Sequence, residues 1–107
     1  MKVHHKRIHE LARMHKQAGG HFFDADSKRF FDSRIGQNVW PGVTGWFFTT
    51  SEQFHNWATQ YHAPRLYTVR KLNADNHRSI DSVGEFQQYT SSAAARRAAE
   101  KAAQEEN

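Results

Sequence analysis

The stretch "GWFFTTSEQFHNWATQYHAPRLYTVRKL", residues 45–72, decides the fold, because three elements follow one another within it. Its start, Trp46 to Thr50, combines aromatic and β-branched residues, which suits a buried strand. Thr50 and Gln53 then form a capping-box pattern. After them Phe54, Trp57, Ala58 and Tyr61 recur at i, i+3, i+4 and i+7 until Pro64 breaks the run, so the spacing predicts a helix over 51–62. "RLYTVRKL", Arg65 to Leu72, returns to strand composition.

Outward toward the C-terminus, "NADNHR" has the Asn and Asp content of a hairpin loop, and it leads into "SIDSVGEFQQY", Ser79 to Tyr89. Ile80, Val83 and Phe86 do not share parity, so strict alternation fails and a bulge is expected at Ser82 or Gly84. Ser91 or Ser92 caps an alanine-rich helix from Ala93 to about Gln104, with Arg96 and Glu100, and Lys101 and Glu105, spaced as i, i+4 ion pairs. That helix buries only methyl groups. It can approach a sheet closely, and its last turns should fray.

Toward the N-terminus, the loop "GQNVWPGVTG", Gly36 to Gly45, carries Trp40 as its one large residue. Before it, two Phe-Phe runs between His21 and Ile35 flank Asp24-Ala25-Asp26-Ser27, and Asp and Ser favour tight turns, so a β-hairpin is expected. Residues 3–18 read as a helix, with Ile8, Leu11, Ala12 and His15 on one stripe and Gly19-Gly20 as the stop. The resulting order, α-β-β-β-α-β-β-α, is α+β: an antiparallel sheet of about five strands with helices mainly on one face. Length of 107 residues suits one domain, 1–107. It divides into a basic N-terminal helix (1–20), a sheet (21–89) with the inserted helix 51–62, and an alanine-rich helix (91–104).

Hydrophobic residues make up 37% of the chain and aromatics 13%, so a small, aromatic-rich core is expected. There is no cysteine, which removes disulfides, thiolate nucleophiles and Cys-ligated zinc. No run approaches the roughly 20 apolar residues that span a bilayer, and the N-terminus lacks the apolar core of a signal peptide. A soluble, cytoplasmic protein without a membrane partner is the expectation. The net charge of +4 is concentrated in the first twenty residues, where Lys2, Lys6, Arg7, Arg13 and Lys16 oppose the single acid Glu10. Such asymmetry points to an acidic partner for the first helix.

The chemical candidates fall away one by one. Asp24 and Asp26 suggest a metal loop, but Lys28 and Arg29 follow where a calcium loop needs oxygen ligands, and a turn accounts for both aspartates. His5 and His9 stand at i, i+4, yet Lys6 follows His5 where a metalloprotease has Glu, and no third ligand is indicated. His21, His55, His62 and His77 fall at element ends or turns. No serine sits in a nucleophile elbow, and "WPGVTG" has the glycines of a phosphate loop without the Lys-Ser/Thr that follows them. The expectation is therefore no enzyme, no metal and no cofactor.

What survives is a mixture of bases and aromatics. Lys6, Arg7, Arg13 and Lys16 belong to the first helix, and Arg29, Arg34, Arg65, Arg70, Lys71 and Arg78 lie on or beside strands bearing Phe30, Phe31, Tyr67 and Tyr89. With Trp40, the cations and Tyr67 are the candidate binding residues. Single-stranded nucleic-acid platforms use this mixture for phosphate contact and stacking, protein-interface hot spots use it too, and any small sheet shows arginines over aromatics.

The segments "GGHFFDADSKRFFDSRI", "GWFFTTSEQF" and "RLYTVRKLNADNHRSIDSVGEFQQYTSSAAARRAA" resemble a family of small, mostly uncharacterised proteins carried by bacteriophages and integrative elements. Its marks here are the Phe-Phe-Asp hairpin, "TSEQF", "YTVR" and "VGEFQQY". The resemblance implies a mobile-element origin in a bacterial cytoplasm and assigns no activity. It favours a non-enzymatic accessory protein that binds and modulates a host protein or nucleoprotein complex, a defence complex among them, in the manner of an anti-CRISPR inhibitor. The alternative is a nucleic-acid-binding protein that uses the basic first helix and the Arg/aromatic strands.

Overall fold

The computed structural model describes residues 2–20, 38–53, 55–56 and 58–107. The expected hairpin 21–35, with Asp24, Asp26, Arg29, Phe30, Phe31 and Arg34, lies outside them, as do Phe54 and Trp57. The elements are α1 (Ile8–Gln17), β1 (Trp40–Pro41), β2 (Gly45–Glu52), β3 (His55–Asn56), β4 (Tyr61–His62), β5 (Leu66–Asn73), β6 (Ile80–Val83) and α2 (Ser92–Glu106). Four strands form an antiparallel sheet in the order β1-β2-β5-β6, and β3 pairs with β4 in a separate two-stranded ribbon. The fold is α+β and built on an antiparallel sheet.

Side-chain alternation along β2 explains why this sheet is covered twice. Trp46 and Phe48 point to one face, where they meet Ile8, Leu11 and Ala12 of α1 together with Leu72 and Val39. Phe47 points to the other, against Ala99 and Ala103 of α2 and Val69. Cross-strand partners share a face, so Leu72 stands opposite Trp46 and Val69 opposite Thr49. Each face thus carries one helix, α1 on one and α2 on the other. The reason lies in "WFF", three consecutive large apolar residues, which a strand can bury only if both faces are covered.

Among the described residues of 51–62 the predicted helix does not form; strands and a turn take its place. β2 runs on through Ser51 and Glu52, which pair with Tyr67 and Leu66 of β5. Thr50, expected to cap a helix, is buried in mid-strand opposite Thr68. Gln53 completes no capping box; its side chain donates across the ribbon to Ala63 O at 2.9 Å and accepts from Arg65 at 3.4 Å. Beyond this clasp, β3 and β4 form an arm. Asn56 Oδ1 accepts from the N–H groups of Ala58 (3.1 Å) and Thr59 (3.3 Å), and Gln60 takes φ 58° to close the turn. Pro64 interrupts the ladder, because it has no N–H to donate. The register slips there by one residue, from Glu52 opposite Leu66 to His55 opposite His62. Long-range pairing with β5 has overridden a local helix pattern.

Helix α1 is shorter than the predicted 3–18. It begins at Ile8 because the preceding segment is tied down as extended chain: Val3 N–H donates to Gly42 O at 2.9 Å, and Trp46 Nε1–H donates to His4 O at 2.6 Å. Its end follows the sequence. Gly19 adopts φ 81° and donates to Lys16 O, while Gly20 N–H donates to His15 O, the paired bonds of a Schellman cap. His15 is fully buried on the stripe, with Nδ1 2.8 Å from His77 O.

At the far end, β6 stops at Val83, Gly84 (φ 80°) and Gln87 (φ 58°) carry the chain away, and Tyr89 returns to bridge Tyr67. The expected bulge is a five-residue excursion, 84–88, between Val83 and Tyr89. Ser91 accepts from Ala94 N–H and caps α2, whose alanines lie directly on the sheet. Among the described residues the expected Arg96–Glu100 and Lys101–Glu105 pairs are not formed, and α2 pairs Glu106 with Lys71 of β5.

Candidate functional site

The extended segment before α1 and the chain entering β1 lie side by side, and a groove of about 440 Å³ opens between them. His5, Lys6, Arg7, Ile8 and His9 line one wall; Asn38, Val39 and Trp40 line the other. Its position follows from local chemistry. Ile8 and Val39 are buried in the core beneath, and the Val3–Gly42 bond holds the two segments in register. The polar side chains between these anchors are left facing outward: His5, Arg7 and His9 are exposed.

Three sequence candidates, Lys6, Arg7 and Trp40, therefore share one site. Lys6 Nζ stands 4.0 Å from Glu10, a loose i, i+4 pair on a partly exposed surface, which screening weakens. Glu10 also accepts from Arg7 N–H at 3.3 Å, closing the first turn of α1. The Arg7 guanidinium has no ion-pair partner among the described residues. Trp40 is half-buried and packs against the apolar cluster on the α2 face, opposite Phe47 in the strand pair, and it is also among the residues that line the groove. A half-buried ring is held in place, which lowers the entropy cost of stacking a flat ligand on it.

The other candidates are dispersed. Arg13 and Lys16 are exposed farther along α1, outside the groove lining. Arg65 clasps the base of the β3–β4 arm through Ser51 Oγ at 2.9 Å and Gln53. Tyr67 is half-buried and held by backbone bonds to Tyr89. Arg70 is buried at 9% exposure, donating to Thr50 Oγ1 (3.2 Å) and Ser82 Oγ (2.8 Å), with its guanidinium 5.3 Å from the centre of the Phe86 ring. Lys71 is engaged by Thr44, Glu106 and the Phe47 ring. Arg78 is exposed in the turn before β6, its N–H bonded to Asn76. Arg70 is thus engaged within the sheet, and Lys71 joins the sheet to the 43–44 loop and to the end of α2.

Among the described residues no cluster of three or more His, Asp or Glu side chains could hold a metal ion. His5 and His9 both line the groove, but as its polar wall; His5 precedes the helix, so the i, i+4 geometry imagined for them does not exist. Sequence reasoning missed Asn38 and Val39 as groove residues. No local signal marks them, since their segment meets α1 through long-range contacts, the Val3–Gly42 backbone bond and the burial of Val39 beside Ile8.

Residues 7–100 match the Family of unknown function (DUF7447). The chain belongs to this family. No curated protein and no solved structure matches it. The DUF7447 match takes in Arg7, His9, Asn38 and Trp40, and leaves His5 and Lys6 outside. Among the described residues no helix is long and apolar enough to cross a membrane.

Proposed function

We propose that this DUF7447 protein is a binding protein rather than a catalyst, and that its groove grips single-stranded nucleic acid. One observation carries the proposal: His5, Lys6, Arg7, His9, Asn38 and Trp40 all line one open channel. Cations along one wall suit phosphates, and an aromatic on the other suits a base, which is the division of labour in proteins that track single strands. Fluorescence anisotropy with a labelled single-stranded oligonucleotide tests this at several salt concentrations. Affinity should fall steeply as salt rises, because neutralised phosphates release counterions. Salt-insensitive binding, or none at low salt, defeats it.

A second reading rests on the β3–β4 arm, where Tyr61 is 55% exposed on a ribbon whose β4 residues both face solvent. Such an arm suits a protein partner, in keeping with an accessory protein of a phage or mobile element that engages a host complex in a bacterial cytoplasm. Tyr61→Ala should then abolish capture of that complex while leaving oligonucleotide affinity unchanged.

A further inference from the structure

The loop "PGVTG" lacks the lysine that completes a phosphate loop in sequence, but in space that lysine arrives from β5. The N–H groups of Val43 and Thr44 both donate to Glu106 Oε1, each at 3.0 Å. The Thr44 hydroxyl donates to Oε2 at 2.5 Å, and Lys71 Nζ lies 3.7 Å from the same oxygen. Lys71 also donates to Thr44 Oγ1 at 3.0 Å, fixing the hydroxyl's direction. Two adjacent backbone donors, a hydroxyl and an ammonium converging on one anion make up the donor set of a phosphate cradle. A Cβ on Gly42 would come within 2.5 Å of Glu106 Oε1 and 2.9 Å of the Phe47 ring, so glycine keeps the site open to an oxygen.

The position of Glu106 shows how strongly the loop attracts negative charge. It sits in the last turn of α2, beside Glu105 and with no base in that turn, where the helix dipole disfavours a carboxylate. Alanine-rich helix ends also fray readily. Burial pushes the Glu106 carboxyl up, yet the Thr44 hydroxyl, the Thr44 and Val43 N–H groups and the Lys71 ammonium outweigh it and hold the group below its ordinary value.

We propose that Val43, Thr44 and Lys71 form a binding site for a phosphate group, which Glu106 fills from within and vacates when the last turn of α2 unwinds. The proposal is independent of the groove, although residues 38–40 of the groove lead directly into the loop. A phosphate monoester presents the same tetrahedral set of oxygens as free phosphate and, near neutral pH, more charge than the carboxylate it displaces.

Amide NMR titration tests this with inorganic phosphate and, separately, a nucleoside monophosphate, at constant ionic strength with chloride as control. In the wild-type protein, phosphate should give saturable shifts at the Val43 and Thr44 amides together with loss of order in the last turn of α2. Glu106→Gln should tighten binding about tenfold by removing the internal competitor, and adding Lys71→Met should abolish it. Shifts with the monophosphate alone would assign the ligand as a nucleotide; shifts with both, as phosphate in general. Val43 and Thr44 amides that respond to neither probe, or equally to chloride, overturn the proposal. The wild-type titration decides even if Glu106→Gln fails to fold. Because the readout is phosphate at Val43 and Thr44, it stands or falls separately from oligonucleotide binding in the groove.

Discussion

The cations at the start of α1 and those on β5 are similar in sequence and opposite in use. Arg7 stands exposed on the wall of a groove, whereas Arg70 is buried with Thr50 and Ser82 as its acceptors. Lys6 holds a loose 4.0 Å pair, whereas Lys71 is drawn into Thr44 and Glu106. A basic residue on a strand is therefore no measure of a binding surface. What matters is whether its charge is already satisfied by the chain, and that depends on what the opposite strand and the covering helix supply.

The sharpest way to break this contrast is Arg70→Ala. It strips a buried donor from Thr50 and Ser82, so thermal or urea unfolding should show a loss of about 2–3 kcal/mol, with oligonucleotide affinity unchanged. A stable Arg70→Ala protein with impaired binding would reverse the assignment of roles. The complementary pair, Lys6→Ala with Arg7→Ala, should leave stability within about 0.5 kcal/mol while lowering affinity about tenfold and reducing the salt slope by about 2.

The smallest expected effect concerns acid. Glu106 binds its proton less readily in the folded protein than as a free carboxylate, so the unfolded chain takes up more protons in that range. Its contribution to stability is complete above the ordinary Glu value of about 4.3 and disappears as pH falls through the lowered folded value. Denaturation followed from pH 7 downward should show the wild type losing its advantage over Glu106→Gln below about pH 4.3. An advantage that grew on acidification would contradict the donor arrangement around the carboxylate.

Much of the fold could be read from local pattern. The stripe Ile8, Leu11, Ala12 and His15, the stop at Gly19-Gly20, the strands on either side of residues 53–65 and the cap at Ser91 are each set by residues within a few positions of one another. The failures share one cause. Residues 51–62 match a helix template, but Ser51 and Glu52 have partners fifteen or so residues away on β5, and no window of a single turn contains that information. The groove was legible only in part. Lys6, Arg7 and Trp40 stood out by residue type, while the bond from Val3 to Gly42 that brings them together has no local trace. Glu106, 62 residues along the chain from Thr44 of the loop it fills, was invisible for the same reason.

Amide and indole NMR mapping with a short single-stranded oligonucleotide at low salt tests the central contrast most directly. Perturbations should gather at His5 to His9, Asn38 to Trp40 and the Trp40 indole N–H, while Arg70 and its neighbours on β5 stay in place. Shifts concentrated on Tyr67 to Arg70, with the groove silent, would show that the strand residues are the binding surface after all.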